Sequence, residues 1–108
     1  GIKKDPTFGN VVMFGAGGIL VESLKDVTFR VCPIDDKDAE SMVSNLKNQW
    51  LISGIRGQKS INTRLLKQIL VKVSKIPHKY RKIEELDINP LIGNEKEIKI
   101  VDARVASD

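Results

Sequence analysis

An acidic segment near the C-terminus carries the side chains with the clearest capacity for chemistry. The stretch RKIEELDINPLI, residues 81 to 92, places Glu84, Glu85, Asp87 and Asn89 among apolar residues. Side chains alternate between the two faces of an extended strand, so Glu85, Asp87 and Asn89 share one face. Positions two apart are separated by roughly 6.5–7 Å, which lets two oxygen side chains converge on one hard cation. Oxygen donors without histidine or cysteine favour Mg²⁺, Mn²⁺ or Ca²⁺ over zinc or copper.

The segment EIKIVDARV contributes one more acid. We interpret it as the hairpin partner of residues 82 to 92, joined to them through the polar turn GNEK. Asp102 lies at the end of its apolar face, where a carboxylate is costly unless it is paired, hydrogen-bonded or metal-bound. Asp87, Asn89 and Asp102 are therefore our candidate metal ligands. The alternative, that they form only the solvent-facing side of a sheet, stays open from the pattern alone.

Strand patterns also occur before the helical part of the chain. The apolar run NVVMF, residues 10 to 14, predicts a buried strand. The run KDVTFRVCP alternates in polarity, with Val27, Phe29 and Val31 on one face, and predicts a half-buried strand. The short connection LKD predicts a hairpin turn between the preceding run, GAGGILVES, and this strand.

The segment IDDKDAESMVSNLKNQW predicts an amphipathic helix. Its N-cap is Asp35 or Asp36, and acidic side chains in the first turn also suit the positive end of the helix dipole. We therefore interpret the acidic cluster at residues 35 to 38 as capping chemistry and not as a metal site. The predicted apolar face consists of Ala39, Met42, Val43 and Leu46.

The segment INTRLLKQILVKVSKIP predicts a second amphipathic helix, with Asn62 or Thr63 as its N-cap and Pro77 as its end. Its predicted apolar face consists of Leu65, Leu66, Ile69, Val73 and Ile76. The predicted element order is β-β-β-α-α-β-β. Hairpin-paired strands with helices grouped between them predict an α+β fold, in which two helices cover one face of a mainly antiparallel sheet. We treat residues 1 to 108 as one such domain.

The composition narrows the class of protein. The chain has 18 basic and 14 acidic residues, but the basic residues are scattered, so we expect no nucleic-acid partner. The sequence has no run of 18 apolar residues, and we expect no membrane partner. The single cysteine, Cys32, permits no internal disulfide and indicates a reducing, cytoplasmic setting.

Three motifs, in this order, resemble one protein family. They are DPTFGNVVMFGAGGILVESLKDVTFR, the isolated GIRG, and ELDINPL followed by VDAR. In these motifs the chain is similar to the NDP-forming acyl-CoA synthetases, whose nucleotide site is an ATP-grasp fold. The first subdomain of the grasp, with its lysine and adenine contacts, has no counterpart here. The resemblance therefore implies a C-terminal ATP-grasp subdomain that is a fragment of a larger chain.

The resemblance implies roles for the residues at matching positions. Asp87 and Asn89 resemble the acid-x-Asn pair that holds Mg²⁺ in the nucleotide site. Asp102 resembles the second-strand acid that completes this site. Arg56 resembles a loop arginine near the transferring phosphate, where a fixed guanidinium can stabilise phosphoryl charge.

The glycine-rich stretch is implied to approach the nucleotide. Gly15, Gly17 and Gly18 could let backbone amides come close to a phosphate, but they form neither the GxGxxG nor the Walker pattern, and a purely structural role stays open for them. Glu22 occupies the family's Val-Glu position, and we group it with Gly17 and Gly18 as a candidate for cofactor binding. His78 matches no phosphohistidine motif, and we interpret it as a surface residue.

The family reaction converts ADP, phosphate and acyl-CoA into ATP, a carboxylic acid and CoA through a phosphorylated histidine. The implied cofactors are Mg²⁺ and ATP or ADP. The implied partners are the remaining ATP-grasp subdomain and a CoA-binding alpha subunit or domain, with CoA and the carboxylic acid bound by the full enzyme. We expect the chain to be inactive alone and to form oligomers. Two alternatives stay open, a non-catalytic assembly module with the same fold and a small basic nucleic-acid-binding domain.

Overall fold

The computed structural model describes residues 1–15, 26–54 and 60–107. No helix in these ranges is long and apolar enough to cross a membrane. The elements are β1 (Ile2–Asp5), β2 (Gly9–Gly15), β3 (Val27–Val31), α1 (Asp36–Ser44), α2 (Trp50–Ser53), α3 (Thr63–Lys79), β4 (Ile83–Ile88), β5 (Leu91–Gly93), β6 (Ile98–Ile100) and β7 (Ala103–Ser107). This antiparallel arrangement with two main helices confirms the predicted α+β fold class.

Five strands form one antiparallel sheet in the order β3-β2-β1-β4-β7. Strand β1 is missing from the predicted order, because its sequence has one apolar residue followed by three charged ones. Its backbone pairs with β2 on one side and with β4 on the other, which places Ile2 between Val12 and Leu86. All three side chains are buried. Strand β1 therefore forms because its neighbours supply hydrogen bonds and packing, and not because of its local propensity.

Helix α1 begins and packs as its sequence predicts. The Asp35 carboxylate accepts a hydrogen bond from the Asp38 N–H at 2.8 Å, and the Asp38 carboxylate accepts one from the Asp35 N–H at 3.1 Å. The reciprocal bonds satisfy backbone donors that the first helical turn leaves unpaired. The bond from the Asp38 N–H also holds the pKa of Asp35 below its usual value. The predicted apolar positions Ala39, Met42, Val43 and Leu46 are all buried, although α1 ends at Ser44, earlier than the predicted segment, and Leu46 follows it.

Helix α3 begins at one of its two predicted caps, and its predicted apolar face is confirmed in part, since Leu66 is buried and Val73 and Ile76 pack against the core. Asn62 is its N-cap, and its Oδ1 accepts a hydrogen bond from the Leu65 N–H at 3.0 Å. The buried positions are Leu66, Leu70, Ser74 and Pro77, whereas the predicted Leu65, Ile69, Val73 and Ile76 are half-buried. Apolar periodicity does not indicate Ser74, because this buried residue is polar. Its hydroxyl accepts a hydrogen bond from the Ile34 N–H at 3.0 Å and donates one to the Val71 carbonyl at 2.7 Å.

The prediction that Pro77 ends α3 is wrong. The helix continues to Lys79, and the Tyr80 N–H donates to the Ile76 carbonyl at 2.8 Å. A proline removes one backbone donor from the helical ladder. Because this loss falls in the last turn of α3, the remaining hydrogen bonds and the burial of the proline ring are sufficient to keep the turn helical.

The two faces of β3 are arranged differently from what their polarity suggests. The Thr28 side chain is buried, and its hydroxyl donates to the carbonyl oxygens of Phe14 and Met42 at 3.3 and 3.1 Å. Phe29 and Val31 are instead 53% and 50% exposed. The alternation therefore indicates a half-buried strand correctly, but the polar side of β3 faces the helices. The predicted LKD hairpin depends on residues outside the described ranges.

The predicted C-terminal hairpin forms, but it is interrupted once. Its inner part, β4 with β7, belongs to the main sheet, and its outer part, β5 with β6, forms a separate two-stranded sheet. Between them the Asn89 N–H donates to the Asp102 carbonyl and the Val101 N–H to the Pro90 carbonyl, each at 3.1 Å. We call residues 83–107 the C-terminal ribbon, and Asn89, Pro90, Val101 and Asp102 its joint.

Candidate metal site

The three predicted metal ligands lie at or beside the joint of the C-terminal ribbon. Asp87 is the cross-strand partner of Arg104, and a backbone hydrogen bond pairs Asn89 with Asp102. Cross-strand partners point to the same face of a sheet, as do residues two apart on one strand. Asp87, Asn89 and Asp102 therefore share one face. As diagonal neighbours, Asp87 and Asp102 have Cα atoms roughly 7–8 Å apart.

This shared face is the one that the helices leave uncovered, and we call it the open face. Leu86 points to the opposite, helix-covered face and is 7% exposed, whereas Asp87 and Asn89 are exposed. On the β1 side of Asp87 lies Gly1, where a Cβ would still be 3.9 Å from Asp87 Oδ1. No hydrogen bond between described residues uses the Asp87 carboxylate. Its oxygens are therefore available to a cation approaching from the open face.

Asp102 is oriented by its own backbone and by one arginine. Its Oδ1 accepts a hydrogen bond from the Ala103 N–H at 3.0 Å, and its Oδ2 lies 3.6 Å from Arg104 Nε. Both charged side chains are more than half exposed, and an ion pair of this kind contributes little stability. A cation can therefore replace the guanidinium at low cost. Sequence reasoning missed Arg104, because its position opposite Asp87 depends on strand register.

The donor set fits Mg²⁺ shared with a nucleotide. Proteins usually bind Mg²⁺ through one or two carboxylates, while waters and substrate phosphates complete the octahedron. Within residues 1–15, 26–54 and 60–107, no group of three or more histidine, cysteine, aspartate or glutamate side chains could hold a metal. Two carboxylates and one amide oxygen suit an ion that also binds phosphate better than an ion held by protein alone.

Four other predicted site residues, Arg56, Gly17, Gly18 and Glu22, lie outside the described ranges. The structure does describe the residues that flank them. At Gly15 a Cβ would lie 2.8 Å from the Asp26 carbonyl oxygen, so only glycine allows β2 and the start of β3 to approach so closely. Gly54, the C-cap of α2, has a φ of 85°, which favours glycine.

Asp26 is a buried carboxylate that holds the connection after α1. It accepts hydrogen bonds from the Lys47 N–H at 2.7 Å and from the backbone and side-chain N–H groups of Asn48, both at 3.0 Å. The bond from the Lys47 N–H is the main reason that the pKa of Asp26 is below its usual value. Because its partners are all internal, we assign Asp26 a structural role.

The part of the open face on β2 and β3 is apolar. Val11 pairs with Val31, and Met13 pairs with Phe29, so these four side chains lie together. The open face thus has an acidic half on β4 and at the joint and an apolar half on β2 and β3. Phe29 and Val31 are the more exposed of these four residues, at 53% and 50%.

Comparison with known protein families identifies the family to which this chain belongs. The family described as the ATP-grasp domain matches residues 1–106. The chain belongs to the ATP-grasp family. The three sequence motifs therefore led to the correct family, and the ATP-grasp chain described here carries the acid-x-Asn segment on β4 and the joint.

Two curated relatives of this ATP-grasp chain are CoA ligases. Subunit beta of acetate–CoA ligase [ADP-forming] I from Pyrococcus furiosus is 46% identical over 105 residues. The 4-hydroxybutyrate–CoA ligase [ADP-forming] from Nitrosopumilus maritimus is 41% identical over 107 residues. Both matches cover 97% of this chain, but only 45% and 15% of the respective relatives. The chain therefore spans less than half the length of either relative.

Solved structures of an archaeal enzyme share the fold. Dinucleotide forming acetyl-coenzyme A synthetase 1 of Ca. Korarchaeum cryptofilum, in complex with coenzyme A, acetyl-coenzyme A and a phosphorylated phosphohistidine segment, matches with a TM-score of 0.93 and 41% identity. The match covers 99% of the chain described here and 48% of the Korarchaeum chain. A second structure of the same enzyme, with coenzyme A and Mg-AMPPCP and with its phosphohistidine segment pointing towards the nucleotide binding site, has the same TM-score and identity.

Proposed function

We propose that this chain is the C-terminal part of the ATP-grasp site in an ADP-forming acyl-CoA synthetase. There it supplies cation and phosphate contacts for phosphoryl transfer between a phosphohistidine and ADP or ATP. The observation that carries the proposal is the placement of Asp87, Asn89 and Asp102 on one open face. The names of the relatives, and the Mg-AMPPCP bound to a similar structure, support it.

The acidic half of the open face would bind the cation. A bound Mg²⁺ would offset the negative charge of the nucleotide phosphates during phosphoryl transfer. Asp87 and Asp102 would hold it through carboxylate oxygens, and Asn89 through its amide oxygen. The Ala103 N–H fixes Oδ1 of Asp102, which limits the rotation of this carboxylate before the cation arrives.

A second set of contacts would act on the phosphates themselves. The two carboxylates balance the charge of one Mg²⁺, so the remaining phosphate charge needs a cationic side chain. We assign this role to Arg56, whose guanidinium can donate paired hydrogen bonds to a phosphoryl group. We assign Gly17 and Gly18 to backbone contact with the phosphates and Glu22 to the same nucleotide site.

The apolar half of the open face supports a partner on that side of the sheet. Burial of apolar surface contributes about 25 cal/mol per Å² to association, and Phe29 and Val31 are half exposed here. We infer that the remaining ATP-grasp subdomain covers this half and encloses the nucleotide. A CoA-binding subunit or domain would supply the phosphohistidine, CoA and the carboxylic acid, so the chain alone would be inactive.

The test uses the full-length synthetase that contains this chain. Asp87→Asn and Asp102→Asn preserve side-chain shape and remove one charge each. We expect each to lower ATP formation from acyl-CoA, ADP and phosphate by about 100-fold and to raise the Mg²⁺ concentration needed for half-maximal rate. Glu85→Gln is the matched control, because Glu85 is exposed on the same strand and face, and we expect less than about a twofold change, as is usual for surface positions.

Two outcomes would count against the proposal. Undiminished turnover in both aspartate variants, with the control also active, would reject the metal assignment. A folded wild-type synthetase that makes no ATP from any acyl-CoA would favour the non-catalytic assembly module.

A further inference from the structure

The outer part of the C-terminal ribbon is held by its base, by its tip, and by Leu91 and Ile98, which pack against the hydrophobic core. At its base, the joint carries the hydrogen bonds that link Asn89 to Asp102 and Val101 to Pro90. At its tip, the turn between β5 and β6 contacts the start of α3. The tip is the point of the ribbon farthest from the joint, so a displacement there turns the outer ribbon about the joint and strains the packing of Leu91 and Ile98.

The tip contact consists of one backbone hydrogen bond from a residue that also starts a helix. The Asn62 N–H donates to the Asn94 carbonyl at 2.9 Å, while the Asn62 side chain caps α3. The turn itself is well braced. Asn94 Oδ1 accepts from the Lys96 and Glu97 N–H groups at 2.8 and 3.0 Å, and the Asn94 N–H donates to the Glu97 carbonyl at 2.9 Å. The hydrogen bond from the Asn62 N–H therefore holds the whole turn between β5 and β6, which its internal hydrogen bonds make rigid.

Close packing supports this hydrogen bond. A Cβ at Gly93 would lie 3.0 Å from Ile61 Cδ1, 2.8 Å from Ile98 Cγ1 and 3.1 Å from the Glu97 carbonyl oxygen. The absence of a side chain thus lets β5 lie directly against Ile61. A side chain at Gly93 would require Ile61 and Ile98 to move, or would push the tip away from α3 or spread β5 from β6.

We propose that Asn62 and Gly93 are positioning residues for the candidate metal site, because they set the angle of the outer ribbon at the joint that carries Asn89 and Asp102. The inference rests on the proposed function of these two ligands. Asn62 and Gly93 would touch neither the cation nor the nucleotide. They act through β5 and β6.

The size of the effect follows from the geometry of the ribbon. Asn94 lies five residues from Asn89, about 16 Å along the strand. A displacement of about 1 Å at the tip would turn the outer ribbon by roughly 3–4° and move a side-chain oxygen at the joint by about 0.2 Å, which matches the tolerance of a metal–ligand distance. We therefore expect a loss of roughly fivefold in cation affinity, below the 10–100-fold typical when a direct supporting hydrogen bond is removed.

The first test separates the backbone bond from the helix cap. Asn62 has a φ of −69°, which proline can adopt. Asn62→Ala removes only the cap, whereas Asn62→Pro removes both the cap and the N–H that binds Asn94. Mn²⁺ binding to the full-length synthetase, in the presence of ADP, is measured by the paramagnetic resonance of free Mn²⁺. Thermal unfolding in metal-free buffer measures the stability of each variant.

The second test uses two glycines. Gly93→Ala places a methyl group at the tip contact, whereas Gly9→Ala strains a turn with a φ of 79° where a Cβ meets nothing within 4 Å. We expect Gly93→Ala to weaken Mn²⁺ binding about fivefold and Gly9→Ala to leave it within about twofold, although both lower the unfolding temperature. If Gly93→Ala does not fold, the comparison of Asn62→Ala with Asn62→Pro tests the positioning role.

The outcomes separate this inference from the proposed function. Weaker Mn²⁺ binding in Asn62→Pro than in Asn62→Ala, beyond any difference in stability, supports the positioning role. Equal Mn²⁺ binding by the two Asn62 variants, together with equal binding by Gly93→Ala and Gly9→Ala, overturns the positioning role. The metal site itself is still supported in that case if Asp102→Asn binds Mn²⁺ more weakly than the wild type. If Asp102→Asn binds Mn²⁺ as well as the wild type, the metal site and this inference fail together.

Discussion

Arg104 Nε lies 3.6 Å from Asp102 Oδ2, and the same arginine is the cross-strand partner of Asp87. One guanidinium therefore stands beside both acids of the candidate metal site. Its side chain is 83% exposed, so it can swing towards solvent at little cost. The arrangement lets Arg104 neutralise the acidic half of the open face while no cation is bound.

Removal of this guanidinium should tighten cation binding. At a separation of about 6 Å in water, repulsion between a guanidinium and one charge of the cation is about 0.7 kcal/mol, or roughly threefold in affinity. We expect Arg104→Gln to bind Mn²⁺ without nucleotide about threefold more tightly. Calorimetric titration of the full-length synthetase measures this. Lys99→Gln is the control, since Lys99 pairs with Glu97 at 3.5 Å on the outer ribbon, and weaker binding in Arg104→Gln would contradict the prediction.

The buried face of α3 can be tested by truncating adjacent leucines. Leu66 is 2% exposed, whereas its neighbour Leu65 is only half-buried. Leu66→Ala should lower the free energy of unfolding by about 2–5 kcal/mol, because it removes apolar contacts and leaves a cavity. Leu65→Ala should cost less than half of that loss. Urea unfolding of the two variants measures both, and equal losses would show that the helix is rotated from its position here.

The buried carboxylate of Asp26 should make stability depend on acid pH. Because its pKa lies below the usual 3.8 in the folded state, mainly through the Lys47 N–H bond, its stabilising effect is present above about pH 3.8. The effect is lost as the pH falls through the folded-state pKa. Asp26→Asn should therefore be less stable than wild type at neutral pH, with a difference that shrinks below pH 3.8. Urea unfolding midpoints of wild type and Asp26→Asn, measured across this pH range, test the prediction. A difference in stability that does not vary with pH would refute the prediction.

The Cys32 thiol should react slowly in the folded protein. Burial raises the pKa of this thiol from 9.0 to about 11, so the reactive thiolate is depleted about 100-fold at pH 8. We expect alkylation by iodoacetamide to be slower than that of a free thiol by about this factor. Mass spectrometry against time measures the rate, and denaturant provides the comparison. Equal rates in native and denatured protein would contradict the burial of this side chain.

Local sequence signals account for much of the fold. The caps Asp35 and Asn62 were each one of two predicted candidates, and the apolar positions of the first helical segment were predicted, because these features depend on residues within one or two turns. The alternation around Asp87 likewise indicated the strand and its exposed side. The three motifs, taken together, led to the ATP-grasp family, which the match over residues 1–106 confirms.

Contacts between segments far apart in the chain determine the features of the fold that local sequence signals did not predict. Strand β1 has no apolar periodicity and exists because β2 and β4 flank it. Thr28, rather than Phe29, faces the helices because its hydroxyl finds the Phe14 and Met42 carbonyl oxygens there. The buried face of α3 includes Ser74 because the Ile34 N–H, 40 positions away, needs an acceptor.

The sequence by itself determined which oxygen side chains could form a site, because their types and their alternation are local properties of one strand. Only the tertiary structure decided that Asp102 and Arg104 stand beside Asp87 and Asn89, and that the tip of the ribbon is held by Asn62. The physical reason is that strand register and inter-element contacts depend on the backbone pairing and packing of segments far apart in the chain.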